Sequence, residues 1–272
     1  MRTSVRWRAA RLAVLVAGLG FVAGVGSGAA ADSPTAVYKP VLPEDEFAKL
    51  VNEDAKVIKE SLEKAKGTDK KKMLTKAKAA ALMIAVYAQD EMLKKGPNSA
   101  QMAGLRDEAV KTIKAISDDK LDQAKKLADD LKPSGAAGAG ATMTPLALTK
   151  DIEIDVVMQQ FKPELGGGLG LEKKMNSFIN KRTPFTAADY QQMLPMLYRI
   201  AAIAQPTEAL TPAPMGKKTP DKWVKLSQEM SQLALETADL AKKPKPDPKA
   251  VKAAINKLSD NCTACHNVFR DE

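Results

Sequence analysis

The sequence predicts an all-α protein: an antiparallel four-helix bundle preceded by a second helical bundle. Three observations predict it. Aromatic residues are only 4% of the 272, and alanine, leucine, methionine and lysine abound, which suits packed helices and not a β-sandwich. Apolar residues recur at steps of three and four along most of the chain. A glycine- and alanine-rich stretch from Pro133 to Gly140 then divides the pattern, so that 133–145 reads as a linker between domains at 40–132 and 146–272.

The elements follow in order. Pro43 to Lys66 carries Phe47, Leu50, Val51, Ile58, Leu62 and Ala65 at helical spacing and ends at Gly67. Asp69 to Lys95 carries Met73, Leu74, Ala77, Ala81, Ile84 and Ala88 and stops at Gly96-Pro97, a helix end followed by a breaker. Ser99 to Lys132 is helical again, with a break expected near Ser117-Asp118-Asp119. Beyond the linker, Leu146 to Phe161 is expected as a short helix, then a loop at Gly166 to Gly170, then a short helix from Leu171 to Lys181. Thr186 with Asp189 three residues on resembles a capping box opening a helix to Gln205, which Pro195 should kink. Thr219-Pro220 and Asp247-Pro248 each place a cap before a first-turn proline and open the last two helices. The final stripe is Val251, Ala254, Ile255, Leu258, Cys262, Cys265 and Phe269.

The N-terminus reads as a leader. Arg2, Arg6, Arg8 and Arg11 precede an apolar run from Leu12 to Val25, and Ala29 and Ala31 form an A-x-A cleavage signal before Asp32. Residues 1–31 are therefore expected to be a Sec-type signal peptide, with the mature protein in a periplasm-like compartment. The run is shorter than the roughly 20 residues of a spanning helix, so no transmembrane span is expected in the mature chain, although an uncleaved anchor stays open. Loss of four arginines and no acid lowers the formal charge from +9 to +5. That balance favours docking with acidic redox partners or an anionic membrane surface. Lysines interspersed with acids at helix-pair spacing speak against nucleic acid.

The chemistry is concentrated at Cys262-Thr263-Ala264-Cys265-His266. Cys-x-x-Cys-His is the attachment signature of c-type haem. On a helix, spacings of three and four put both thiols and the imidazole on one face. Rival readings lack material: a structural zinc site wants four Cys or His ligands, and the chain has two cysteines and one histidine. A redox pair wants a βαβ setting, and a plain disulfide leaves His266 as coincidence.

Cys262, Cys265, His266, Phe269 and Arg270 together resemble the motif of the cytochrome c′ family, Cys-x-x-Cys-His-x-x-Phe/Tyr-Arg/Lys on the last helix of a four-helix bundle. The resemblance covers about 146–272. It implies one covalent haem c, thioethers at Cys262 and Cys265, His266 as proximal iron ligand, and Phe269 and Arg270 in the haem environment. Cytochromes c′ often pair as dimers. The first domain, in which Lys72–Gln89 echoes Gln192–Gln205, is expected as a haemless degenerate repeat packed where a second subunit would sit.

With His266 as the only histidine, bis-histidine ligation within one chain is impossible. The sixth position is open or filled by methionine, or less readily by lysine, with Met158 preferred and Met175 second. A methionine-ligated iron suits an electron carrier, the favoured function. An open iron in an apolar pocket suits binding of nitric oxide or carbon monoxide, the alternative. Peroxidase-type catalysis wants a distal acid–base residue, usually histidine, so no enzyme is expected.

Overall fold

The computed structural model describes residues 39–135, 152, 154–208 and 219–269. The leader at 1–31, most of the linker and Arg270 lie outside the described residues. Every regular element among those described is helical: α1 (Glu44–Lys64), α2 (Lys70–Leu93), α3 (Ser99–Ser117), α4 (Leu121–Asp129), α5 (Ile154–Met158), α6 (Leu171–Ile179), α7 (Ala187–Thr207), α8 (Pro220–Ala241) and α9 (Pro248–Phe269).

Local chemistry sets most boundaries. The break between α3 and α4 falls at Asp118–Lys120, where Asp119 takes φ +56°. Thr186 caps α7 through a complete capping box: its side chain accepts from Asp189 N–H, and the Asp189 carboxylate accepts from Thr186 N–H at 2.6 Å. The Asp189 carboxyl, bonded first by Lys181 and then by Thr186, is held down at about 2. Pro195 does not end α7, which continues through it and through Pro206. The helix expected over Leu146–Phe161 ends earlier than its apolar pattern suggested, and 146–151 lie outside the described residues. It closes at Met158, and Gln159 to Lys162 turn back ahead of Pro163, which disfavours helix in the residue before it.

Helices α1 to α4 close one bundle, each packed on its neighbours in sequence and α4 returning to α1. Helices α6 to α9 close another in the same cyclic way. The described residues belong to one compact unit, Ala36–Glu272, and one apolar core runs through both bundles. The centre is occupied by α2 and α7, which touch each other. These helices carry the two echoing segments of the sequence, and both are buried almost all round: Ala79 to Asp90 and Met196 to Thr207 form unbroken buried runs.

Polar contacts tie the bundles as well. Arg199 of α7 donates from one nitrogen to both oxygens of Asp54 in α1 (2.7 and 2.6 Å) and from the other to Glu53 (2.9 Å). Its guanidinium lies 6.0 Å from the centre of the Tyr87 ring. Burial pushes the Asp54 carboxyl up against the pull of Arg199. The same burial works against the Arg199 charge, yet the facing carboxylates hold it above its usual range, Asp54 through two short hydrogen bonds. The entering chain is strapped across both central helices. Gln205 of α7 exchanges two hydrogen bonds with the Lys39 backbone (2.8 and 2.7 Å), and Asp90 of α2 accepts from Val41 and Leu42 N–H (2.6 and 3.1 Å).

Candidate functional site

At one end of the second bundle α6 begins, α7 ends, α8 begins and α9 ends, the arrangement of an antiparallel bundle. Between these four ends lies a cavity of about 750 Å³ counted to its mouth. Its walls are mostly apolar: Met158, Phe161, Met175, Trp223, Leu226 and Met230. Cys262, Cys265 and His266 line it from α9. They sit where they do because Val251, Ile255 and Leu258 bury one stripe of α9, and the motif continues that stripe past the point where the neighbouring helices close. Asn261, between stripe and motif, is buried and donates to Glu229 at 3.4 Å.

Both thiols are half-buried and free. Burial, then the neighbouring Cys265 and Glu172, push the Cys262 thiol up to about 12, and burial also raises Cys265. A thioredoxin-type nucleophile needs the opposite shift. The described residues contain no cluster of three or more His, Cys, Asp or Glu side chains able to hold a metal ion, so a zinc centre lacks donors. An apolar slot with two protonated thiols and an imidazole on one wall fits the donor set of a covalently attached haem.

The preferred distal candidates converge on this cavity. Met158, half-buried at the end of α5, and Met175, buried in α6, both line it. His266 is exposed at the rim. Phe269 does not line the cavity; it packs edge-on against Trp223 with ring centres 5.0 Å apart. Several lining residues carried no sequence signal of their own. Trp223 reads as ordinary core, yet its indole Nε1 donates to Thr207 O at 2.7 Å, and Thr207 is the last residue of α7. Met230 lies seven residues, about two turns, further along α8 and lines the same cavity. Glu172, in the first turn of α6, brings a carboxylate to a mostly apolar cavity, and first-turn acids are too common for the sequence to mark it.

Residues 172–270 match the family model described as Cytochrome C′. This segment is similar to the cytochrome c′ family. The match implies a covalently bound c-type haem, and it spans α6 to α9 with the whole Cys262–Arg270 motif. It begins after Met158, Phe161 and the glycine loop, so the resemblance that the sequence suggested from 146 onward is supported from 172. No curated protein and no solved structure matches the chain. No helix among the described residues is long and apolar enough to cross a membrane.

Proposed function

We propose that the chain is an exported monohaem c-type cytochrome that carries electrons in a periplasm-like compartment and is not an enzyme. The observation that carries this is the joint placement of Cys262, Cys265, His266, Met158 and Met175 on one apolar cavity at the end of the cytochrome c′ segment. Cys262 and Cys265 are the thioether residues and His266 the proximal ligand, with Phe269 bracing the α8–α9 corner and Arg270 following it. The bound haem supplies one-electron chemistry at its iron. The chain's own part is to exclude water with apolar walls, to keep both thiols neutral until attachment, and to offer a thioether sulfur from Met158 as sixth ligand. Methionine as the partner of histidine raises the potential of a c-type haem. The mature charge of +5 steers the carrier toward acidic redox proteins.

The second reading is diatomic gas binding. The same apolar wall, with Met158 too far from the iron to bond it, leaves an open site that admits nitric oxide or carbon monoxide.

Absorption spectra of the exported protein, ferric and reduced, with and without carbon monoxide, separate the two. A ferric methionine–iron band, split reduced bands and no carbon monoxide response are expected for the carrier. A broad high-spin spectrum that shifts with carbon monoxide would move the function to gas binding. Replacing Cys262 and Cys265 with alanine should abolish covalent haem, read as loss of the haem mass on the intact chain, and His266→Ala should retain the mass but lose the native spectrum. A wild-type chain exported without haem would overturn both readings.

A further inference from the structure

The cavity wall that carries Met158 and Phe161 belongs to a segment, 154–170, that has little helix of its own. A five-residue helix cannot hold itself in water, so its position depends on what it packs against. That surface is mainly α2 of the other bundle; α5 packs more extensively on α2 than on α7.

Two side-chain-level contacts fix the segment there. Gln160 is fully buried and donates from Nε2 to the main-chain oxygen of Ala79 in α2 at 2.9 Å. Gly167, at φ +85°, lies so close to α2 that a Cβ placed on it would meet Lys72 O at 2.7 Å. Ala79 and Lys72 are seven residues apart, about two turns of α2, so the segment is held at two separate points along one helix. From these anchors the hold passes to the rest of the wall. Leu171 N–H donates to Gln160 O and Leu169 N–H to Gln159 O, which ties the start of α6, and Met175 on it, to the same turn.

We propose that the N-terminal bundle is the platform that sets the methionine-bearing wall of the haem cavity, with Gln160 and Gly167 as its positioning residues. This rests on reading the cavity as a haem site. The bundle without the haem motif thereby takes part in the site: its α2 backbone fixes how far Met158 and Phe161 stand from whatever fills the cavity.

The test uses the full-length chain with Gln160→Leu and Gly167→Ala, and Gly170→Ala as comparison. Gly170 shares the left-handed backbone (φ +73°), but a Cβ there meets only the Glu164 side chain, at 3.3 Å, and nothing of α2. Two quantities are read: amide exchange at Leu169 and Leu171 before haem loading, and the ratio of oxidised to reduced haem at a fixed applied potential. Gln160→Leu and Gly167→Ala should speed exchange about tenfold, the loss of one buried hydrogen bond or close contact. They should change that ratio by roughly three- to thirtyfold, while Gly170→Ala stays within about twofold. An unchanged ratio in both variants, or a Gly170→Ala effect equal to that of Gly167→Ala, overturns the proposal. Should Gln160→Leu not fold, the two glycine variants decide alone. A wild type that carries no haem defeats the haem reading, and the exchange rates still decide whether α2 holds the wall.

Discussion

The two central helices and the final helix are built on opposite plans. In α2 the run Ala79 to Asp90 is buried on every side and five of its twelve residues are alanine, so neighbouring backbones approach closely and leave no room. In α9 only Val251, Ile255, Leu258 and Asn261 are buried, a single stripe of larger side chains that runs out into a cavity. Close packing of small residues makes a rigid support, and a one-sided helix leaves a face free for a prosthetic group. The contrast teaches that the support and the site are on different bundles.

The strongest way to break that division is at the contact between bundles. Arg199→Ala leaves Asp54 buried without its partner and should cost about 3–5 kcal/mol in urea unfolding. Lysine at 199 should not restore it, because one ammonium cannot serve Asp54 and Glu53 as two guanidinium nitrogens do. If the bundles were independent bodies, unfolding of Arg199→Ala would show one unshifted transition. Next come paired substitutions of reversed sense. Leu258→Ala in α9 should cost about 2–5 kcal/mol by opening a void, whereas Ala81→Leu in α2 should cost about 1–3 kcal/mol by overpacking. Equal tolerance of the two would erase the contrast. Thr186→Ala removes the cap of α7 and should cost about 1 kcal/mol in the same assay.

The smallest effect is one of slope. Burial, opposed by the Val41 and Leu42 amides, raises the Asp90 carboxyl to about 6. A carboxyl raised on folding binds its proton more tightly in the native state, so its contribution to stability grows as pH falls from about 6 to about 4. Asp90→Asn should remove that gain, read as the difference in urea midpoint between wild type and variant across this range; identical pH profiles would show that the strap does not titrate.

Much of this was legible along the chain, for physical reasons. Gly96-Pro97, Thr186, Thr219-Pro220 and Asp247-Pro248 act through neighbouring backbone groups, so sequence alone reports them. The haem motif is legible because two thiols and an imidazole must share a helix face. The stripe of Met73, Leu74, Ala77, Ala81, Ile84 and Ala88 suggests a one-sided helix, but α2 is covered all round because a second bundle arrives from 100 residues away. The Arg199–Asp54 pair spans 145 positions, and each charge alone looks like part of a solvated face. Gln160 and Gly167 were invisible for the same reason: their partners are main-chain oxygens of α2, which no side-chain pattern records.

Trp223 gives the cavity an optical property. The sequence has two tryptophans, and the other, Trp7, lies in the leader. Trp223 is therefore the one indole of residues 32–272, pinned through Thr207 and lining the same space as Cys262 and Cys265. Its ultraviolet emission would be drained by energy transfer to any porphyrin seated there, so loading of the exported chain can be followed in real time without adding a dye.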